Sequence, residues 1–192
     1  MNDLGFVSSV MSEKYKVHNP EGVYFVTCTI TGWVDLFIRP EYKEILITSL
    51  RHCIATKGLV VHAYVVMSSH IHLIVSTRDR ESLPDIIRDF KRFTSRALVK
   101  EVKLVNESRR EWMLNKFAYE AKRLKRGKEY KVWQDGFHPI ELLSVEMTRK
   151  KLEYMHNNPV VERIVDETVD YVYSSARQYA GENGVLEIEF II

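Results

Sequence analysis

Two histidines one residue apart, His70 and His72, sit in "MSSHIHLIVS" (residues 67–76), a run whose other residues suit a buried strand. Side chains of a strand alternate between faces, so the two imidazoles lie side by side while Ile71, Leu73 and Val75 point the other way. Imidazoles so placed can hold one divalent cation, each presenting a ring nitrogen at roughly 2.0–2.2 Å. They equally suit a hydrogen-bonded pair on an edge strand. A two-ligand site is incomplete, and a third group with water or substrate oxygens must finish the shell.

The stretch "EYMHNNPV" offers such a group. Tyr154 and Asn158 are four residues apart and share one helical face. The amide oxygen of Asn158 can ligate a hard cation. A phenol is a poor nucleophile at its ordinary pKa of roughly 10. Beside a divalent cation that polarises a phosphodiester, Tyr154 becomes a competent one. The product would be a covalent phosphotyrosine and a free hydroxyl, which keeps the phosphoester bond for rejoining. No pair of carboxylates suited to activating water stands out, which favours covalent transfer over hydrolysis. The plainer fates are a tyrosine capping the core and an asparagine capping a helix end. Pro159 also pushes Asn158 away from helical geometry.

The elements that must position these groups follow from periodicity. "GVYFVTCTITGW" (22–33) reads as a first strand, rich in β-branched and aromatic residues. Pro40 opens a helix whose apolar residues recur at helical spacing up to Gly58. Leu59–Met67 and His70–Thr77 read as two further strands joined by a tight turn at Ser68 and Ser69. A second helix starts near Ser82, with a proline in its first turn, and runs through "IIRDFKRFTSRALVKEV". The stretch to about Tyr130 lacks a clear period and reads as a loop with a short helix. "YKVWQDGFHPIEL" looks like a fourth strand broken by Gly136 and Pro139, and "VEMTRKKLEYMHN" forms the last helix. The order β-α-β-β-α-β-α predicts an α+β chain of the ferredoxin-like, split βαβ kind, an antiparallel sheet with helices packed on one face. The expected organisation is an N-terminal tail over 1–21 (Met11 being an alternative start), one domain over 22–180 and a C-terminal tail over 181–192.

Of the 192 residues 45% are hydrophobic and 28% charged, as in an ordinary globular domain, and the net charge is only +2. Its distribution is uneven: residues 91–131 hold 14 Lys or Arg against 5 Asp or Glu, an excess of +9. Such a segment suits a phosphate backbone, although a solvated helix face explains it as well. Arg88, Lys91, Arg92 and Arg96 recur every three to four residues as a basic stripe. Lys122, Arg123, Lys125, Arg126 and Lys128 extend the charge toward Tyr130 and Trp133, rings on which unpaired bases can stack unless they pack in the core. Arg177 either touches phosphate or pins the tail down. Cys28 and Cys53 form neither a disulfide framework nor a thiolate metal motif, which suits a reducing cytoplasm. No secretory signal and no membrane-spanning run is expected.

"MSSHIHLIVS" resembles the HUH motif of single-tyrosine DNA transposases and related nucleases. With "WQDGFHPIEL", "YMHNNPV" and "DYVYSSARQY" in the same order, the sequence from about Gly22 to Tyr179 resembles the REP-associated tyrosine transposases. The resemblance implies that His70, His72 and Asn158 hold Mg²⁺ or Mn²⁺. It implies that Tyr154 attacks single-stranded DNA to give a 5′-phosphotyrosine and a 3′-hydroxyl. The implied partner is an imperfect palindrome folded as a hairpin with a few unpaired bases on its 5′ side, handled by a monomer or a homodimer. Two residues depart from the pattern: Ser68-Ser69 stand where Pro-Asn is common, and Asn158 is one methylene shorter than the glutamine usual in the wider group. Two other readings stay open: a relative that grips structured DNA without cutting it, and a phosphoesterase using water.

Overall fold

β-branched and aromatic residues, buried on both faces, build the first strand, β1 (Tyr24–Thr29), and β2 (Leu59–Val66) and β3 (His70–Thr77) are likewise largely buried. In the computed structural model, which describes residues 17–123, 127 and 129–192, these pair with a two-residue β4 (Ile140–Glu141) in one sheet of order β2-β3-β1-β4. Every pairing is antiparallel, and β3 lies between β1 and β2, which makes β1–α1–β2 the split βαβ unit.

α1 (Pro40–Lys57) begins on a proline and stops at Gly58, whose φ of 68° gives the left-handed cap. α2 (Leu83–Leu104) starts where the Ser82 hydroxyl accepts the Asp85 N–H. Both helices cover the sheet face carrying Tyr24, Val26, Cys28, Ile71, Leu73 and Val75, forming the larger core. α4 (Val145–Val161) packs on the opposite face, where Leu152 and Met155 meet Phe25, Val65 and Ile74. The sheet is thus covered by helices on both faces, not on one as expected, and the last helix shares its face with the two histidines.

Four further expectations change. The basic stretch after α2 contains a full helix, α3 (Arg110–Arg123), which buries Met113, Phe117, Glu120 and Ala121 at helical spacing. The fourth strand shrinks to Ile140–Glu141, because Gly136 and His138 take positive φ angles of 71° and 45° and Pro139 has no N–H. Residues 132–137 still run along β1, with Val132 accepting from Thr31, Gln134 donating to Thr29 and Phe137 accepting from Thr27. The segment 181–192 is not a loose tail: Leu186 is buried in the larger core and the Glu189 N–H bonds the Val61 carbonyl on the edge strand. At the other end, Asn19 bonds Glu141 and Tyr24, so the expected tail is tied to the domain by 19. Residues 1–16, Met11 among them, lie outside the described residues.

Candidate active site

The register of β1 against β3 places Thr27 opposite His72 and Thr29 opposite His70. The two imidazoles share the face toward α4, with ring centroids 4.6 Å apart. Thr27 Oγ1 lies 2.8 Å from His72 Nδ1, and the Phe25 ring stacks on His72 at 5.1 Å. His72 is only 5% exposed, and its Nε2 is buried with no hydrogen-bond partner. With Nδ1–H donating to Thr27, the lone pair of Nε2 is free to bind. His70 is held by Ser69 Oγ at 3.2 Å from Nδ1 and by the edge of Trp33 at 5.9 Å.

Burial lowers the pKa of His70. His72 is pushed down to about 3 by burial first, then by His70 and the Lys151 cation. Both rings are therefore neutral at pH 7, the form that ligates a metal. Among the described residues no group of three or more His, Cys, Asp or Glu gathers anywhere. A cation here would need an amide or substrate oxygens beyond the two imidazoles. The orphaned Nε2 beside a second neutral imidazole fits that role, since a buried unpaired nitrogen is otherwise costly.

Tyr154 comes to the pair from α4. Its ring centroid is 5.5 Å from His72 and 6.3 Å from Phe25. Half of the residue is exposed, so its hydroxyl can meet a substrate from solvent. Asn158 stands one turn further on the same helix, half-buried. α4 continues through Pro159 to Val161, so Asn158 keeps helical geometry despite its proline neighbour. Proline costs α4 the N–H that would bond the Met155 carbonyl, and this near the helix end is tolerated because Pro159 itself is buried.

The structure sorts the basic candidates. Arg88, Arg92 and Arg96 are exposed along α2; Arg88 pairs with Asp85, Arg92 with Asp89 at 3.0 Å, and Arg96 has no ion pair among the described residues. Lys91 does not belong to this stripe. It turns inward, its Nζ donating to the carbonyls of Gln134 and Gly136 at 2.5 Å each, and burial lowers its pKa. Lys122 is exposed at the end of α3, and Arg123 is tied to Glu120 at 2.9 Å. Arg177 pairs with Glu182 at 2.9 Å, which pins the chain end. Lys125, Arg126 and Lys128 lie outside the described residues. Trp133 is core, its Nε1–H donating to Thr94 at 3.0 Å, so it is no stacking platform. A groove of about 970 Å³ runs between α2 and residues 129–137, with Arg92, Arg96, Lys100, Lys103 and Tyr130 among its lining. Its wall at 132–137 is hydrogen-bonded to β1, the strand that also presents Thr27 to His72.

Three contributors were not singled out from sequence: Thr27, Phe25 and Lys151, whose Nζ lies 4.6 Å from the Phe25 ring centroid and 5.5 Å from that of Tyr154. Alternation along β1 puts Phe25 and Thr27 on one face, but only the register shows that this face is the histidines' own.

Residues 34–122 match the model of the IS200-like transposase family. No curated protein matches the chain. Among solved structures, the chain is similar to a REP-associated tyrosine transposase bound to a REP hairpin, at 17% identity and a TM-score of 0.60, over 95% of this chain and 94% of that one. A candidate transposase from Deinococcus radiodurans R1 is similar at 16% identity and a TM-score of 0.43, over 70% of this chain and 88% of that one. Among the described residues no helix is long and apolar enough to cross a membrane.

Proposed function

We propose that the chain, whose residues 34–122 match the model of the IS200-like transposases, is a transposase of that kind, and that it cleaves and rejoins single-stranded DNA beside a palindromic hairpin with Tyr154 as the nucleophile. The observation that carries this reading is the meeting of two elements distant in sequence. β3 supplies two neutral imidazoles with an orphaned nitrogen, and α4 brings a half-exposed phenol to 5.5 Å from the nearer ring. A structural role for the pair would leave that buried nitrogen unexplained.

His70, His72 and Asn158 are the residues that would hold Mg²⁺ or Mn²⁺. Bound there, the cation would draw charge from the oxygens of a phosphodiester. Thr27 holds the His72 ring through Nδ1, and Phe25 stacked on that ring keeps water from its face. Tyr154 Oη forms the new bond to phosphorus as the bond from phosphorus to the 3′-oxygen breaks. The phenolic proton passes to solvent on the exposed side of the ring, and the departing oxygen takes up a proton to become a 3′-hydroxyl. Rejoining runs the same exchange backwards with another 3′-hydroxyl.

The groove beside α2 suits the hairpin. Arg92, Arg96, Lys100 and Lys103 line it and can neutralise phosphates, and Tyr130 offers a ring for a base. A protein of the same fold was solved with a REP hairpin bound, which supports a partner of that kind. The test is incubation with Mn²⁺ and a DNA hairpin bearing an unpaired 5′ extension. The chain should form a DNA adduct that survives denaturing electrophoresis. Tyr154→Phe should form none while binding the hairpin within threefold of the unaltered chain. Hairpin binding without any adduct would favour the non-cleaving reading.

A further inference from the structure

We infer that Lys151 is the residue that receives the scissile phosphate, holding its non-bridging oxygen against Tyr154. The inference rests on the reading of Tyr154 as nucleophile and assigns a substrate contact to a residue that reading leaves unused.

Lys151 lies three residues before Tyr154, one turn earlier on the same helical face. Its Nζ stands 4.6 Å from the Phe25 ring centroid and 5.5 Å from that of Tyr154. Phe25 is itself stacked on His72, so ammonium, phenol and imidazole form one continuous surface. The adjacent Lys150 is neutralised by Glu146 at 2.6 Å, whereas Lys151 has no carboxylate within ion-pair distance among the described residues. Among the described residues its contacts are the two ring faces, which hold the stem in place and leave its charge without a carboxylate partner.

The charge balance of the site gives this a purpose. Among the described residues Phe25, His72 and Lys151 are in ring contact with Tyr154, and Lys151 brings an ammonium donor to that group. A phosphodiester arriving with one negative charge finds in it a side-chain cation beside the nucleophile. Charge that builds on the phosphoryl oxygens as the phenol attacks is stabilised by a donor already in place, which is where such donors act most strongly. Partial burial of the stem between Phe25 and α4 keeps the ammonium from wandering with solvent.

The test separates binding of this phosphate from chemistry at it. In a Tyr154→Phe background, with EDTA present, affinity is measured for hairpins whose 5′ extension carries a neutral methylphosphonate at successive positions. One position should weaken binding at least fivefold, and that same position should have no effect once Lys151→Met is added, because the methionine keeps the apolar stem and drops the charge. Lys151→Arg should restore the sensitivity. In the chain with Tyr154 intact, Lys151→Met should slow single-turnover adduct formation about 100-fold, the usual cost of losing one such donor. If Lys151→Met leaves the position-specific loss unchanged, the assignment is overturned even though adducts form. If the position-specific loss vanishes with Lys151→Met but the unaltered chain never forms an adduct, Lys151 stands as a phosphate contact and the nucleophile reading falls instead.

Discussion

Replacing Thr27 by valine removes one oxygen from the site and almost nothing else. Valine has the shape of threonine and suits a strand, so β1 keeps its geometry. What disappears is the hydroxyl 2.8 Å from His72 Nδ1, on a ring only 5% exposed and already carrying one unpartnered nitrogen. Leaving a buried donor unsatisfied costs about 1–3 kcal/mol. Taking about 2 kcal/mol for a chain of this size, Tm should fall by roughly 4–8 °C. The same hydroxyl holds the ring whose Nε2 has no partner, and loss of such a supporting bond weakens metal affinity by about 10–100-fold. Thermal unfolding and isothermal titration with Mn²⁺ read the two effects separately. A Thr27→Val chain that binds Mn²⁺ as tightly as before would refute His72 as a ligand. Unchanged Tm would refute the hydrogen bond itself.

Other outcomes follow from the same structure. Arg96→Ala should reduce the slope of log affinity against log salt by about 0.7–0.9, one phosphate contact, with fluorescence anisotropy on the hairpin as readout. Lys91→Met should leave that slope unchanged and instead lower the urea midpoint, because Lys91 satisfies the carbonyls of Gln134 and Gly136. His156 is half-buried against Ser175, with its Nε2 2.9 Å from the hydroxyl, and desolvation pushes its pKa down to about 4. The unfolded chain therefore takes up this proton first as pH falls; stability is full above about 6.5 and is lost progressively down to about 4, by up to about 3 kcal/mol. His156→Gln should remove that part of the loss, seen as a flatter dependence of the urea midpoint on pH.

Much of the positioning was legible because it is local. The β3 boundaries at His70 and Thr77, the α1 stop at Gly58 and the serine cap of α2 follow from alternation, glycine and capping chemistry. The same alternation put both imidazoles on one face. What sequence withheld was long-range. α3 escaped because its buried Met113, Phe117 and Ala121 are interleaved with charges that blur the period. The face chosen by α4 depends on how a helix crosses the sheet, and no local pattern states that. Lys91 reads as part of a stripe by spacing, yet the folded segment 134–136 offers it carbonyls and draws it inward. The docking of 181–192 rests on Leu186 finding a core built by residues far upstream. Helix periodicity placed Asn158 on the face of Tyr154, and the expected distortion at Pro159 did not displace it.

The central claim is that the phenol of α4 acts where the imidazoles of β3 await it. Its most direct measurement is to digest the DNA adduct formed in Mn²⁺ with trypsin and nuclease, then locate the residual nucleotide by mass spectrometry. The account predicts a 5′-linked nucleotide on the peptide containing Tyr154, and its absence when His70 and His72 are both replaced by alanine. A nucleotide found on Tyr171, Tyr173 or Tyr179, or an adduct at Tyr154 indifferent to both histidines, would contradict it.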